Sequence, residues 1–313
     1  MSSKSSLGLP TVDFSNTNIK QGTPEWKLVK FQVQKATQDF GCFKALFKVP
    51  RDLLEAVNEA MEDVFDLPSE TKQRYVSEKP FEGYTGPSPL VPLMESVFIG
   101  CPDIYESLQS VTKVLWPEGN QEFSQAIHSY SKHLMELAET IRRMIIESLE
   151  LEKYWEEHIN SAYYALKMMK YKEPQSTERT EGLRTHADPQ MLSILYQYGI
   201  DGFELQTKDG EWINVEFSQD SFIVIVGESL HAWTNCRLPS PYHRVMMTGD
   251  KARFSASFAI FPKEGYVIKA AEELVDEDHP LVLKPFDFFE YLKLLSLEVV
   301  NINESPLRVY FGA

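Results

Sequence analysis

Apolar positions recur along this chain with two different periods, and the change of period divides it. Over residues 25–40 and 52–65 they fall at three- and four-residue steps, which predicts two helices. Pro68 and Ser69 read as a stop followed by a new start, with Ser69 as the cap. Residues 79–104, rich in Pro, Gly and aromatics, read as an irregular loop. A long helix is predicted over 121–151, where Phe123, Ile127, Leu134, Leu137, Ile141, Met144, Ile145 and Leu149 form one stripe.

After Ser161 the apolar segments become short and turns punctuate them. Strands are predicted over 162–171, 192–197, 203–207, 211–215, 221–226, 243–248 and 253–261, with another near the start at 9–14. Asp209-Gly210 between two of them is a hairpin signal. Beyond Pro262 the pattern returns to helix and loop and ends in Phe286, Phe288, Phe289 and Tyr291. The expected fold is mixed with a mainly β core: a double-stranded β-helix, or jelly roll, with packed N-terminal helices and a C-terminal helical segment. The expected parts are an N-terminal helical and mixed region (1–120), a supporting helix (121–160), the jelly-roll core (161–263) and the C-terminal segment (264–313), acting as one cooperative unit.

Composition narrows the function. The 313 residues are 43% hydrophobic and 12% aromatic, enough for a substantial core. A net charge of −15 argues against binding nucleic acid or an anionic membrane surface. The longest apolar run, 222–226, is far too short to span a bilayer, and the opening residues MSSKSSLGLP carry no apolar leader. Three scattered cysteines, Cys42, Cys101 and Cys236, suit a reducing compartment, so the expected location is the cytoplasm.

The chemistry concentrates in His186-Ala187-Asp188 and, further on, His243. On a strand, positions i and i+2 share a face, so His186 and Asp188 can hold one metal together with His243 from a later strand. Two histidines and a carboxylate leave positions open and suit non-haem Fe(II). Taken alone the spacing is equally compatible with satisfied core or surface histidines. Arg253 and Ser255 lie ten and twelve residues after His243 and also share a face. A guanidinium beside a hydroxyl suits the grip of a carboxylate at the end of a buried acid. Tyr171 can add a hydroxyl there. A zinc hydrolase would also use two histidines and a carboxylate, but leaves Arg253 and Ser255 without a task. A non-catalytic small-molecule binder on the same scaffold is the other alternative.

The run Leu183-Arg184-Thr185-His186-Ala187-Asp188, with Val226-Gly227-Glu228-Ser229-Leu230, Asn235, Ser240-Pro241-Tyr242-His243-Arg244-Val245 and Arg253-Phe254-Ser255, resembles the plant 2-oxoglutarate- and Fe(II)-dependent dioxygenase superfamily. Phe40-Gly41-Cys42-Phe43 resembles its N-terminal domain. Trp116-Pro117-Glu118-Gly119-Asn120, Met169-Lys170-Tyr171-Lys172 and Lys284-Pro285-Phe286-Asp287 look like the clade of glucosinolate side-chain dioxygenases and deoxypodophyllotoxin synthase. The resemblance implies iron ligation by His186, Asp188 and His243, and 2-oxoglutarate binding by Arg253 and Ser255 with help from Tyr171. It implies a small-molecule substrate and O2, with ascorbate as reductant. The outcome would be hydroxylation, desaturation or ring closure, with release of succinate and CO2. Two departures stand out: Ala187 where the family has Thr, and Met169 where many relatives have Asn.

Four further residues are candidate substrate contacts. Arg184 shares parity with His186 and Asp188, which puts it towards the metal if the strand is regular. Phe98 belongs to an apolar segment suited to a cover over the pocket. Phe288 and Tyr291, three apart on a helix, either close the mouth of the pocket or seal helices to the barrel. His128 and His133 are expected at the surface, His158 and His279 in solvent, and His231 in an exposed turn.

Overall fold

The computed structural model describes residues 8–77, 82–174, 178–218, 220–297 and 305–313. The first seven residues, read above for a leader, and residues 79–81 of the expected loop lie outside them.

In chain order the elements begin with β1 (Thr11–Asp13), α1 (Pro24–Phe40), β2 (Cys42–Leu46), α2 (Arg51–Asp66), α3 (Ser69–Lys72), β3 (Gly83–Thr85) and β4 (Met94–Gly100). Then come α4 (Tyr105–Leu115), α5 (Gln121–Ser148), α6 (Trp155–Asn160), β5 (Ala162–Tyr171), β6 (Thr180–His186), β7 (Leu192–Tyr198), β8 (Phe203–Gln206) and β9 (Trp212–Asn214). The chain continues with β10 (Ser221–Val226), α7 (Glu228–Trp233), β11 (His243–Met247), β12 (Arg253–Pro262), β13 (Val267–Ile268), β14 (Phe286–Asp287), α8 (Phe288–Leu297) and α9 (Pro306–Phe311).

Local chemistry sets the helix ends. The Thr23 hydroxyl accepts from the Trp26 amide ahead of Pro24, so α1 starts there. Gly41 ends it in the left-handed region (φ 65°), where a Cβ would also collide with the Pro239 carbonyl. Asn120 caps α5 through the Phe123 amide at 2.9 Å. Pro68, not Ser69, occupies the N-cap position of α3; Ser69 is its first residue.

Two sheets make the jelly roll. The larger runs β1-β2-β10-β7-β12-β5-β4-β3 and the smaller β6-β11-β8-β9. Inner side chains of both sheets meet in two small clusters, one around Cys42, Phe203, Leu205 and Ile225, the other around Met94, Met169, Tyr171, Val245 and Met247. The outer face of the large sheet carries α5, whose buried stripe includes Phe123, Ile127, Leu134, Leu137 and Ile141. The expected loop 79–104 proves half wrong. Residues 94–100 form β4, hydrogen-bonded beside β5, because the apolar run Val97-Phe98-Ile99 is buried there whatever its Pro- and Gly-rich flanks suggest.

Candidate active site

Antiparallel pairing sets His243, the first residue of β11, opposite His186, the last of β6. Asp188 is no longer on a strand. Its position comes from the loop after β6, which docks on the start of α7. Glu228 N–H donates to the Asp188 carbonyl (2.7 Å), Gly227 N–H to the Met191 carbonyl (3.0 Å), and the Ser229 hydroxyl to the Pro189 carbonyl (2.6 Å). Gly227 permits this approach: a Cβ there would sit 1.8 Å from the Gln190 carbonyl oxygen. Strand alternation therefore predicted the right neighbours for the wrong reason.

Donor atoms of His186, Asp188 and His243 all lie within 4.8 Å of one another. Asp188 Oδ1 is 3.9 Å from His186 Nε2 and 3.7 Å from His243 Nε2. Each histidine donates its other nitrogen to a backbone carbonyl, His186 to Arg184 (2.9 Å) and His243 to Pro241 (3.3 Å). Those bonds fix the tautomer and leave Nε2 as a lone-pair donor. The Ser193 hydroxyl holds Asp188 Oδ2 (2.5 Å) and is itself held by Gln190. Burial, and then the nearby His243, push the His186 pKa down to about 3, so its ring is neutral and ready to ligate. One carboxylate and two neutral imidazoles facing one point are a fit for a divalent metal with open positions.

Arg253 is 2% exposed and has no carboxylate within ion-pair reach among the described residues. It donates through Nη2 to Gln197 Oε1 (2.6 Å) and through Nη1 to Ser255 Oγ (3.1 Å), and Gln197 in turn donates to Asp201 (2.5 Å). Its Nε is buried with no partner. The guanidinium lies 5.0 Å from the centre of the Tyr171 ring, and burial pushes its pKa down. A cation so placed lacks only an anion, and the orphaned Nε fits the carboxylate of a bound acid.

Family comparisons agree with this geometry. Residues 155–262 match the 2OG-Fe(II) oxygenase superfamily, and residues 9–118 match the family described as non-haem dioxygenase in morphine synthesis N-terminal. The chain is 46% identical over 312 residues to the probable 2-oxoglutarate-dependent dioxygenase AOP1.2 of Arabidopsis thaliana, covering 97% of this chain and 96% of that protein. The chain belongs to the 2OG-Fe(II) oxygenase superfamily. The Arabidopsis 2-oxoglutarate-dependent dioxygenase AOP3 is 31% identical, with 97% of each chain covered. Among solved structures, the 2-oxoglutarate complex of the Arabidopsis dioxygenase for auxin oxidation matches with a TM-score of 0.78 at 21% identity, covering 87% of this chain and 99% of that one. The oxygenase fold, with its jelly-roll core and helical segments, is thus the one expected from sequence.

The remaining expected site residues of the oxygenase separate. Tyr171 sits opposite Arg253 on β5, its hydroxyl 3.6 Å from Met169 Sδ. Arg184 does not follow the parity argument. The pairing of β6 with β11 slips between His243 and Val245, so Leu183, not Arg184, faces Val245 on the inner side, and Arg184 is half-exposed. Phe98 stands on the inner face of β4 but packs on Phe261, 5.4 Å between ring centres. Phe288 and Tyr291 are fully buried, Phe288 against Phe261 and Tyr291 hydrogen-bonded to Glu228 (2.6 Å). They pack the C-terminal helix onto the barrel.

His158, expected in solvent, is 2% exposed on α6, its ring 4.9 Å from Trp233. The acidic sequence around it belongs to the opposite, exposed side of a short helix. His231 lies in α7, half-buried, donating to the Leu238 carbonyl (2.7 Å). His279 is exposed and paired with Asp276. Sequence reasoning missed Ser193 and Gln197, which carry no motif of their own, and quoted Gly227 in a motif without a role for it. It also missed Lys167, which parity with Tyr171 and Met169 could have found.

Proposed function

We propose that the oxygenase uses Fe(II) and 2-oxoglutarate to oxidise a C–H bond of a small molecule in plant specialised metabolism. Hydroxylation, desaturation and oxidative ring closure all belong to this chemistry, with O2 consumed and succinate and CO2 released. The observation that carries the reading is the pairing of two features in one barrel: a His-Asp-His donor cluster and, beyond it, a buried arginine without an anion.

In this reading His186, Asp188 and His243 would hold the iron, which would supply O2 activation. Ser193 keeps the second Asp188 oxygen occupied, so one oxygen is offered to the metal. Arg253 and Ser255 bind the distal carboxylate of 2-oxoglutarate. Tyr171 walls the guanidinium on one side, and Gln197, anchored by Asp201, fixes the fork on the other. The apolar inner faces around Met169 and Val245 exclude water from the acid's chain. Ascorbate serves as reductant, and three free cysteines fit a location in the reducing cytoplasm.

The test is 2-oxoglutarate decarboxylation with Fe(II) and ascorbate, followed by a metabolite screen for products that gain one oxygen or lose two hydrogens. Succinate formation that requires iron supports the reading. A protein that makes no succinate with iron but hydrolyses esters or amides with zinc would overturn it.

A further inference from the structure

Lys167 is a cation inside the barrel that the iron and 2-oxoglutarate assignments leave unused. It alternates with Met169 and Tyr171 along β5, so it shares their inner face. Its cross-strand neighbours are Ser257 on β12 and Phe98 on β4. Lys167 makes no hydrogen bond and no ion pair with any described residue, and its ammonium keeps some exposure. Burial pushes its pKa down, while the charge of Asp188 opposes that shift without an ion pair forming. It stands on the same face of β5 as Tyr171, within electrostatic reach of Asp188 and His186.

Position decides what it can serve. Lys167 and Tyr171 are four positions apart, roughly 13 Å along a strand. That is too far for the carboxylate held at Arg253. Ser257 stands two residues beyond Ser255 on β12 and opposite Lys167 on β5, so a hydroxyl and a cation share this stretch of the inner face. Its hydroxyl also has no hydrogen-bond partner among the described residues. Next to both lies the ring of Phe98.

Resting on the oxygenase reading above, we propose that Lys167 and Ser257 form a second anion subsite, which binds a carboxylate, sulfate or phosphate group of the prime substrate beside the iron. The substrate is then an organic anion with an apolar body, its charged end fixed at Lys167 and its body directed along Phe98. An acidic protein surface makes this choice selective, because only a group that reaches the interior cation gains from it.

Ligand-observed NMR on the zinc-substituted protein saturated with 2-oxoglutarate tests this without turnover. The probes are phenylacetate, phenyl sulfate and the neutral phenylacetamide. The wild type is expected to bind the two anions about tenfold or more tighter than the amide. Lys167→Met should abolish that preference, Lys167→Arg should restore most of it, and Ser257→Ala should weaken it. A merely structural lysine would leave the ratio of acid to amide unchanged. Equal binding of acid and amide, a preference that survives Lys167→Met, or no probe binding at millimolar concentration would overturn the subsite. Loss of 2-oxoglutarate rather than probe binding in Lys167→Met would also overturn it, by giving the cation to the co-substrate. If the wild-type zinc protein itself takes up no 2-oxoglutarate, the oxygenase reading fails first and the subsite falls with it.

Discussion

Replacing Arg253 by Met should leave the stability of the ligand-free protein nearly unchanged and at the same time abolish its response to 2-oxoglutarate. The guanidinium is buried, its Nε has no partner, and its nearest acid, Asp201, is reached only through Gln197. An unpaired buried donor costs about 1–3 kcal/mol, and a methionine of similar length removes that cost together with the charge. Against this, Gln197 and Ser255 each lose a donor, about 1 kcal/mol apiece. The net change for the free protein is then within about 1 kcal/mol of zero. In the complex the balance is one-sided. A charge-assisted fork to a carboxylate contributes about 2–4 kcal/mol, so the 2-oxoglutarate Kd should rise roughly 30- to 700-fold. Thermal unfolding with zinc, with and without 2-oxoglutarate, reads both effects, and calorimetry gives the Kd. An Arg253→Met protein that keeps the wild-type Kd within threefold, or that is clearly less stable when free, would refute the reasoning.

Asp188→Asn and His243→Ala should each abolish tight Fe(II) binding, checked by anaerobic metal titration. Ser193→Ala, which frees Asp188 Oδ2, should weaken metal binding by about 10- to 100-fold without unfolding the barrel. Gly227→Ala forces the Asp188 loop away from α7; overpacking of this kind costs about 1–3 kcal/mol, and the metal affinity should fall more than the Tm alone suggests. Glu228, buried against Tyr291, has its carboxyl pushed up to about 7 by desolvation. Its folded-state pKa is raised, so its contribution is fully present below the ordinary 4.5 and is lost as pH rises through 7, about 3 kcal/mol in all. In metal-free protein, Glu228→Gln should remove that fall between pH 4.5 and 7 in urea titrations, and an unchanged slope would assign the pH dependence elsewhere.

The periodic parts of this chain were legible because each buries one face. The stripe on α5 and the alternation in β5, β10 and β12 place their residues whatever the rest does, and their predicted ends fall within a few residues of those found. Arg253 and Ser255 were correctly paired because β12 is regular through them. Arg184 was not, because β6 slips against β11 and parity carries no information across a bulge. His158 was misplaced because charged neighbours describe the exposed side of α6 and say nothing of the side that meets Trp233. Ser193 and Gln197 were invisible for a different reason. A polar residue on a buried strand has meaning only through what it faces, and Asp188 and Arg253 lie 5 and 56 positions away.

The barrel interior divides into two parts under different constraint. Around the His-Asp-His cluster and Arg253 most polar groups are tied to another: Ser193 to Asp188, Gln197 to Arg253, the histidines to nearby backbone carbonyls. A change to one member leaves a buried partner unsatisfied, so that part resists substitution. At Lys167, Ser257 and Phe98 no such ties exist among the described residues, and a substitution there disturbs no hydrogen bond of the metal end. Because the two parts share strands β5 and β12, a ligand held at Lys167 would nevertheless be kept in register with an acid held at Arg253 by the same backbone pairing that sets Tyr171 opposite Arg253. One scaffold can thus exchange its substrate contacts residue by residue while the geometry of oxidation is carried by the sheet.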